Sequence, residues 1–523
     1  MNKRNYRRLR QVLSQEWKEL QNGSDIRGVA LEGVEGEKVN LTPEKCRRIA
    51  CAFGIWLSRN KGKGLQDLRV SIGNDSRLSA QSLREAAIEG LTGMGIKVFN
   101  FGLSSTPAMF MSTIFEGYQY DGAIMLTASH LPFNRNGMKF FTREGGLEKQ
   151  DITAILELAE TEEFPEAKFK GTVQEVDFIS VYAKDLVEKI RKGANDPENY
   201  EQPLKGLRII VDAGNGAGGF FASKVLEPLG ADTKGSQFLE PDGSFPNHIP
   251  NPEDKKAIES IKEAVLKNKA DFGIIFDTDV DRAGAVDKNG KEINRNRIIA
   301  LMASIVLEEH PSSVIVTDSI TSDELKVFIE EKLGGIHHRF KRGYKNVINE
   351  AIRLNNEGKE CHLAIETSGH GALKENYFLD DGAYLIAKIL IKISKLKRIG
   401  KTVDILLEEL EEPAEAKEFR MNILEKDFKT YGNKIIEDLT KYADEKEGWM
   451  PAAENYEGIR VSFGKNEGDG WFLLRMSLHD PLMPLNIESR VSGGIKTIAS
   501  KLVPFLSNYS QLDIIPLKKY LNE

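Results

Sequence analysis

The sequence predicts an α/β protein: three related mixed-sheet domains, then a smaller α+β domain. Three observations carry this. A strand–loop–helix–glycine–strand pattern begins near residues 68, 207 and 313, and such recurrence reads as repeated units of one design. The 523 residues have room for three or four domains at roughly 150 residues each. From residue 414 onward the pattern gives way to short apolar runs closed by one helix. The expected domains are 1–196, 197–308, 309–413 and 414–523.

Composition narrows the class. The chain is 40% hydrophobic and 29% charged, an ordinary soluble balance. A net charge of −7 argues against a nucleic-acid partner. Cys46, Cys51 and Cys361 make neither a disulfide framework nor a zinc spacing. A reducing, cytoplasmic compartment is therefore expected. No apolar run reaches membrane-spanning length, so no membrane partner is expected. The basic start, MNKRNYRRLRQVLSQEW, lacks the apolar core of a secretory signal. Val12, Leu13, Trp17 and Leu20 there predict a short amphipathic helix packed on the body.

In chain order, Asp25-Ile26-Arg27-Gly28 comes first. Its Arg can aim a fixed cation at an anion; a surface turn is the plain alternative. A strand over 68–73 leads to a loop in which Asp75 and Ser79 are expected to cap the following helix. Gly93-Met94-Gly95 ends that helix before a strand over 96–101. The apolar run 123–126 is short enough for a buried strand. It breaks into Thr127-Ala128-Ser129-His130, and Pro132 with Asn134-Arg135-Asn136-Gly137 marks an irregular loop. Lys139 follows on a strand over 138–141. A hydroxyl, an imidazole and an ammonium thus gather at a strand end, where α/β sheets place their chemistry. Neighbours in extended backbone point to opposite faces, so Ser129 and His130 make a poor nucleophile–base couple. A polar turn is the plain alternative.

Residues 193–203 read as a linker. The second unit has a strand over 207–211, a loop over 212–219, a helix, then a strand near 233–239. Gly214, Gly216 and Gly219 fit the dinucleotide fingerprint in its expected setting, so an NAD-dependent oxidoreductase is a rival. That fingerprint wants an acid closing the second strand. Here the chain runs through Glu240-Pro241-Asp242-Gly243-Ser244-Phe245-Pro246-Asn247-His248. The glycines are read as a tight turn, and Glu240 keeps the rival open. A buried strand over 272–276 then delivers Asp277, Asp279 and Asp281, followed by Arg282. Carboxylates at alternate positions suit Mg²⁺, whereas an EF-hand needs Gly sixth and Glu twelfth. The chain has Arg282 and Lys288 at those places. A haloacid-dehalogenase type of phosphatase, with Asp277 as nucleophile, stays open.

A helix over 296–307 and the turn His310-Pro311-Ser312 lead to the third unit, with a strand over 313–317 and another ending at 340. Arg342-Gly343-Tyr344-Lys345 forms a loop; a strand over 363–365 ends in Glu366-Thr367-Ser368-Gly369-His370. A carboxylate and a hydroxyl can take vicinal sugar hydroxyls, and His370 can exchange a proton near neutral pH. A capped turn would explain Ser368 alone. The acidic stretch 407–415 opens the last domain, with strands over 419–424, 459–463, 471–477 and 485–489 and a helix over 494–506. Arg475, Ser477 and His479 among them suit a phosphate dianion.

Taken together, TASHLPFNRNGMKFF, DTDVDR, ETSGH and RMSLHDP resemble the serine, metal, sugar and phosphate loops of the α-D-phosphohexomutases (phosphoglucomutase, phosphomannomutase, phosphoglucosamine mutase). DIRG, the Asp75–Ser79 turn and DGSFPNH resemble further segments of that family. Leu131, Thr278, Ile365 and His479 depart from its patterns, which usually have Asn, Gly, Gly and Thr. The resemblance implies four domains around a central cleft. It implies reversible phosphoryl transfer between the 1- and 6-positions of a hexose, through phosphorylated Ser129 and a hexose 1,6-bisphosphate that also primes the serine. Mg²⁺ would sit on Asp277, Asp279, Asp281 and a phosphoserine oxygen of Ser129. Arg27 and Arg282 would add positive charge. Lys139, with His130 or His370, would move the proton. Glu366, Ser368 and Lys345 would bind the substrate, and Arg475, Ser477 and His479 its non-reacting phosphate. Phosphoglucomutase or phosphomannomutase activity is expected, with phosphoglucosamine mutase as the alternative. A metal-dependent sugar phosphatase and a non-catalytic sugar-phosphate binder are the readings of other classes. A monomer or homodimer is expected.

Overall fold

The computed structural model describes residues 13–477 and 480–523. The chain divides into two compact units, Met1–Ile293 with Leu379–Thr402, and Asn294–Phe378 with Val403–Glu523.

In the first unit the leading sheet runs Gln21–Asn22, Asp25–Val29, Arg135–Thr142, Gly122–Leu126, Arg69–Asn74, Lys97–Leu103, Val173–Glu175. Gly122–Leu126 and Lys97–Leu103 flank Arg69–Asn74 in parallel, and Arg135–Thr142 returns antiparallel. Parallel strands are covered on both faces and so read as unbroken apolar runs; every residue of Gly122–Leu126 is buried. Helix Pro43–Lys61 has the end signals expected of it: Thr42 accepts from Lys45 N, Pro43 opens the first turn, and Gly62 closes the helix at φ +63°. Its Cys46, Ile49, Phe53 and Leu57 pack into the core against this sheet. Leu13, Trp17 and Leu20 join the same core around the short helix Gln15–Lys18; Val12 lies outside the described residues. The three cysteines are buried and unpaired, and burial pushes the Cys46 thiol up to about 12.

Two local expectations need correction here. Helix Ala80–Gly93 has no side-chain cap. Asn136 Nδ2 donates to Ser79 Oγ at 2.8 Å, and Asp75 is taken up by Arg77. A neighbour two residues on claims Asp75, and a distant strand residue claims Ser79, so neither caps the helix. In the second sheet, Ile209–Asp212, Phe272–Phe276, Ala283–Asp287 and Glu292–Ile293, the strand expected over 233–239 does not form. Only single bridges join Arg208 to Asp232 and Asp212 to Gln237. Gly235 at φ +103° and Phe238 at φ +52° break the extended run. The helix after the glycine loop is a 3₁₀ turn, Ala217–Gly219, followed by a π-helix, Phe221–Leu226.

His248 ties down this second sheet. Its Nε2 is 3.0 Å from Asp212 Oδ1 and its Nδ1 is 2.9 Å from Ile249 O. Both partners are acceptors, so the ring serves them best as an imidazolium. Burial works against that charge, but the Asp212 hydrogen bond and charge outweigh it and hold the imidazole above its usual 6.5. A raised folded-state value means the stabilisation is fully present below pH 6.5 and is lost as pH rises through that value. The melting-temperature difference between wild type and His248→Gln is therefore expected to be larger at pH 6 than at pH 9. A difference independent of pH would exclude the charged pair.

In the second unit, parallel strands Ile336–Phe340, Val314–Asp318 and Cys361–Ile365 are followed by antiparallel Gly371–Leu373. A separate antiparallel sheet runs Glu415–Asn422, Leu482–Ser489, Gly470–Leu474, Ile459–Phe463, Met450–Pro451. Helices Phe428–Glu445 and Gly494–Leu506 share its core. The strand expected over 471–477 stops at Leu474. Its partner strand begins at Ile459, opposite Leu474. Gly458 (φ +60°) lies so close to Leu474 O that a Cβ would come within 2.1 Å. Arg475 to Ser477 lose that partner but stay beside strand Leu482–Ser489: Arg475 N donates to Pro484 O at 3.2 Å and Ser477 N to Leu482 O at 3.0 Å, and Pro484, having no N–H, leaves the ladder incomplete.

Candidate active site

The serine loop is held in an unusual conformation. Ser129 has φ +49°, a region that costs a non-glycine residue of order 1–3 kcal/mol unless its surroundings hold it there. Thr127 Oγ1 accepts from Ser129 N at 2.9 Å. Arg27 Nη1 donates to Thr127 O at 2.7 Å, with Asp25 paired to its other nitrogen at 3.0 Å. Ser129 Oγ donates to Asp277 Oδ2 at 2.9 Å and lies 3.2 Å from Arg282 Nη2. His130 Nδ1 is farther, at 3.4 Å, and accepts from Arg282 at 2.6 Å. That nitrogen is engaged with a cation and is poorly placed to deprotonate the serine.

The acidic loop meets this serine within the first unit. Strand Phe272–Phe276 is wholly buried and delivers Asp277, Asp279 and Asp281, all nearly inaccessible to solvent. One oxygen of each lies within 4.8 Å of the others. The loop's left-handed residue is Val280 (φ +66°), not Thr278. Gly382 N donates to Val280 O at 3.1 Å, so this backbone is clamped from outside the loop. Lys139 Nζ donates to Asp279 at 2.9 Å and also to Asp281. Burial alone would depress the Lys139 ammonium, but Asp279 and Asp281 outweigh it and hold it well above the ordinary lysine value. Burial, then Asp281 and Asp279, push the Asp277 carboxyl well above the usual range. Asp279 Oδ1 is buried without a hydrogen-bond partner among the described residues. A donor set made only of oxygens, with one buried lone pair unused, fits a hard divalent cation.

The glycine turn is occupied by the protein itself. Ala217 N donates to Thr278 O at 2.8 Å. A Cβ on Gly216 would come 2.7 Å from Thr278 O, and one on Gly219 would come 2.2 Å from Leu239 O. Close backbone approach, to the acidic loop at Gly216 and to Leu239 at Gly219, accounts for these two glycines.

The second unit gathers the other predicted residues. Gly343 N donates to Glu366 Oε1 at 2.6 Å, at the start of helix Tyr344–Asn356, which carries Lys345. Burial and Asp318 push the Glu366 carboxyl up to about 7. Near neutral pH it can therefore both donate and accept. Ser368 Oγ is buried with no partner among the described residues. The His370 ring stacks on Tyr344 with centroids 5.3 Å apart. Arg475 is 6% exposed, and its Nε is likewise unpartnered. Its terminal nitrogens stand 4.0 Å from Glu418 and from Glu457. Ser477 Oγ accepts from Asp480 N at 3.2 Å. His479 lies outside the described residues.

The structure thus joins Ser129, His130, Lys139, Asp277, Asp279, Asp281 and Arg282 in one cluster, with Arg27 bracing its loop. In the other unit, Lys345, Glu366, Ser368 and His370 form a second group. Glu457 links Arg475 to it by accepting from Arg342 N at 3.1 Å.

Sequence reasoning missed Thr106, whose Oγ1 donates to Asp279 Oδ2 at 2.5 Å and whose N donates to Asp279 O at 2.9 Å. Ser105-Thr106-Pro107 carries a helix-start signature, and Ser105 supplies the cap. It also missed Glu457, for which no local pattern exists.

Three family models match the chain: phosphoglucomutase/phosphomannomutase α/β/α domain I over residues 18–166, domain II over 182–290, and domain III over 294–413. A phosphomannomutase/phosphoglucomutase of Pseudomonas syringae pv. tomato is 30% identical over 493 residues, covering 91% of this chain and 92% of that protein. A phosphoglucomutase/phosphomannomutase of Thermococcus kodakarensis is 31% identical, covering 89% and 93%. A crystal structure of a phosphoglucomutase/phosphomannomutase family protein from Burkholderia thailandensis superposes with a TM-score of 0.75 at 26% identity, covering 95% of this chain and 98% of that one.

Proposed function

We infer that this chain, which belongs to the phosphoglucomutase/phosphomannomutase family, interconverts hexose 1- and 6-phosphates through a phosphorylated Ser129. The observation that carries the reading is the 2.9 Å contact of Ser129 Oγ with Asp277, with Arg282 on the same oxygen.

Phosphoryl transfer rests on positioning and charge neutralisation more than on covalent chemistry by the protein. The phosphoryl group leaves Ser129 Oγ for the free 1- or 6-hydroxyl of the sugar, and the hydroxyl proton passes to the protein. The resulting hexose 1,6-bisphosphate reorients and returns its other phosphoryl group to Ser129. Arg27 and Arg282 supply fixed positive charge. Lys139, His130 and His370 are the candidate proton carriers. Glu366, Ser368 and Lys345 hold the sugar, and Arg475, Ser477 and His479 its idle phosphate. Mg²⁺ held by Asp277, Asp279, Asp281 and Ser129 would neutralise the transferring group. Hexose 1,6-bisphosphate is the proposed activator.

Glucose or mannose phosphates are the proposed substrates, with glucosamine phosphate as the alternative. No described helix is long and apolar enough to cross a membrane. A cytoplasmic monomer or homodimer with no nucleic-acid or membrane partner, divided after residues 196, 308 and 413, completes the reading.

Phosphorus NMR of the protein with a hexose 1-phosphate and catalytic hexose 1,6-bisphosphate tests it. The 6-phosphate signal should grow as the 1-phosphate signal falls, with no inorganic phosphate. Stoichiometric inorganic phosphate would make the protein a phosphatase, and saturable binding without turnover would make it a binder.

A further inference from the structure

We propose that Arg77 is the positioning residue of the transfer step: its guanidinium holds the Ser129 peptide in the left-handed conformation from which Oγ reaches the acidic loop. This rests on the reading that Ser129 carries the phosphoryl group.

Ser129 sits in a backbone region that its own side chain disfavours, so an outside agent must hold it. Thr127 fixes the peptide N–H. The carbonyl side is fixed by one cation. Arg77 Nη2 donates to Ser129 O at 2.5 Å and Leu131 O at 2.6 Å, and Nη1 donates to Pro132 O at 2.7 Å and Arg135 O at 2.8 Å. The carbonyls of one loop thus converge on a single planar fork. Arg135 N also donates to Pro132 O at 3.0 Å, but the guanidinium reaches all four carbonyls, and buried carbonyls must find donors.

Arg77 is itself locked. It is 2% exposed. Its Nε lies 3.4 Å from Asp75 Oδ2 and its backbone N donates to Asp75 Oδ1 at 3.0 Å. Asp75 N in turn donates to Leu126 O, where the strand entering the serine loop ends. The Phe245 ring lies 5.3 Å from the guanidinium carbon. The adjoining Gly243 presses so closely on the turn that a Cβ would come 2.4 Å from Leu78 N. A segment of the second α/β region thereby covers the arginine that shapes the serine loop of the first.

Towards this loop the guanidinium donates to backbone carbonyls, Ser129 O among them, so its effect on the reaction passes through the loop backbone that carries Ser129. Misplacing a reacting atom by about 1 Å costs a step about a hundredfold, and here the same oxygen must give and take a phosphoryl group in each cycle. Lysine keeps the charge but lacks the planar fork.

The test compares wild type, Arg77→Lys and Arg77→Ala in the full chain, with circular dichroism as the check of folding. In Arg77→Lys, kcat should fall about hundredfold while KM for the hexose phosphate stays within about threefold, because the sugar-binding groups are untouched. In Arg77→Ala, millimolar guanidinium should restore part of kcat, a recovery that a merely structural role would not give. If Arg77→Ala does not fold, Arg77→Lys decides alone. Arg77→Lys with kcat within about threefold of wild type, or a folded Arg77→Ala deaf to guanidinium, overturns the proposal. A wild type without mutase turnover overturns instead the reading beneath it, and this inference with it.

Discussion

Ser129→Ala should lower mutase turnover by about 10⁴-fold or more, since removing a nucleophile removes the covalent route outright, while the protein stays folded. The structure argues for the second half as strongly as the first. The contacts that fix residue 129 are made by its backbone: N to Thr127 Oγ1 and O to Arg77. Alanine keeps both. What it loses are the bonds of Oγ to Asp277 Oδ2 and from Arg282 Nη2; Asp277 keeps Arg282 Nε at 3.3 Å and Arg282 N at 3.2 Å, and Arg282 Nη2 keeps His130 Nδ1 at 2.6 Å. Leaving a buried acceptor short of one donor costs about 1–3 kcal/mol, too little to unfold a chain with cores of this size. A coupled assay with a bisphosphate activator and a thermal melt check the two halves. The same variant separates the serine route from an aspartyl-phosphatase route through Asp277. In that rival, Ser129→Ala keeps hydrolysing sugar phosphates and Asp277→Asn does not. Mass spectrometry of the wild type after exposure to hexose 1,6-bisphosphate should place the added phosphate on residue 129.

The site was legible in the chain to the extent that burial and backbone breaks leave local marks. Strands Gly122–Leu126, Phe272–Phe276 and Val314–Asp318 are covered on both faces and so appear as unbroken apolar runs. The polar residues that follow such runs stand at strand ends, which is how Ser129 and the three aspartates could be found. What local reading could not supply was the choice between competing partners. Asp75 and Ser79 satisfy the capping pattern, yet a buried Arg77 and Asn136 claim them. Thr278 drew notice as the departure from glycine, whereas the strained backbone belongs to Val280, whose carbonyl is fixed by Gly382, about a hundred residues on. The run 233–239 has strand-like residues but positive φ at Gly235 and Phe238. Thr106 orients Asp279 from a helix start that, by sequence, explains itself. At Ser79, Val280 and Thr106 a partner distant in sequence decides what the local pattern leaves open.

Removing divalent metal should abolish turnover, and Mg²⁺ should restore it, for a reason that the electrostatics of the acidic loop supplies. Three buried carboxylates crowd within 4.8 Å, and the fixed cations against them are Lys139 and Arg282. Asp277 is pushed well above its usual range by burial and by its fellow carboxylates, while Asp279 Oδ1 is buried without a partner. A divalent ion answers both conditions at once. Lys139 meanwhile bridges Asp279 and Asp281, so the metal-free protein should stay folded, and chelation should silence it without melting it. Binding to the folded state alone raises stability by about 2.7 kcal/mol at a hundredfold excess over Kd, which a melt with and without Mg²⁺ reads directly. Asp279→Asn sharpens the test. Its amide oxygen can still accept from Thr106 Oγ1, so the loop keeps its anchor while losing one ligand charge. The Mg²⁺-dependent rise in melting temperature should shrink or vanish in this variant, and turnover should fall with it. Full activity under chelation, or an undiminished Mg²⁺ shift in Asp279→Asn, would remove the three aspartates from the metal role assigned to them.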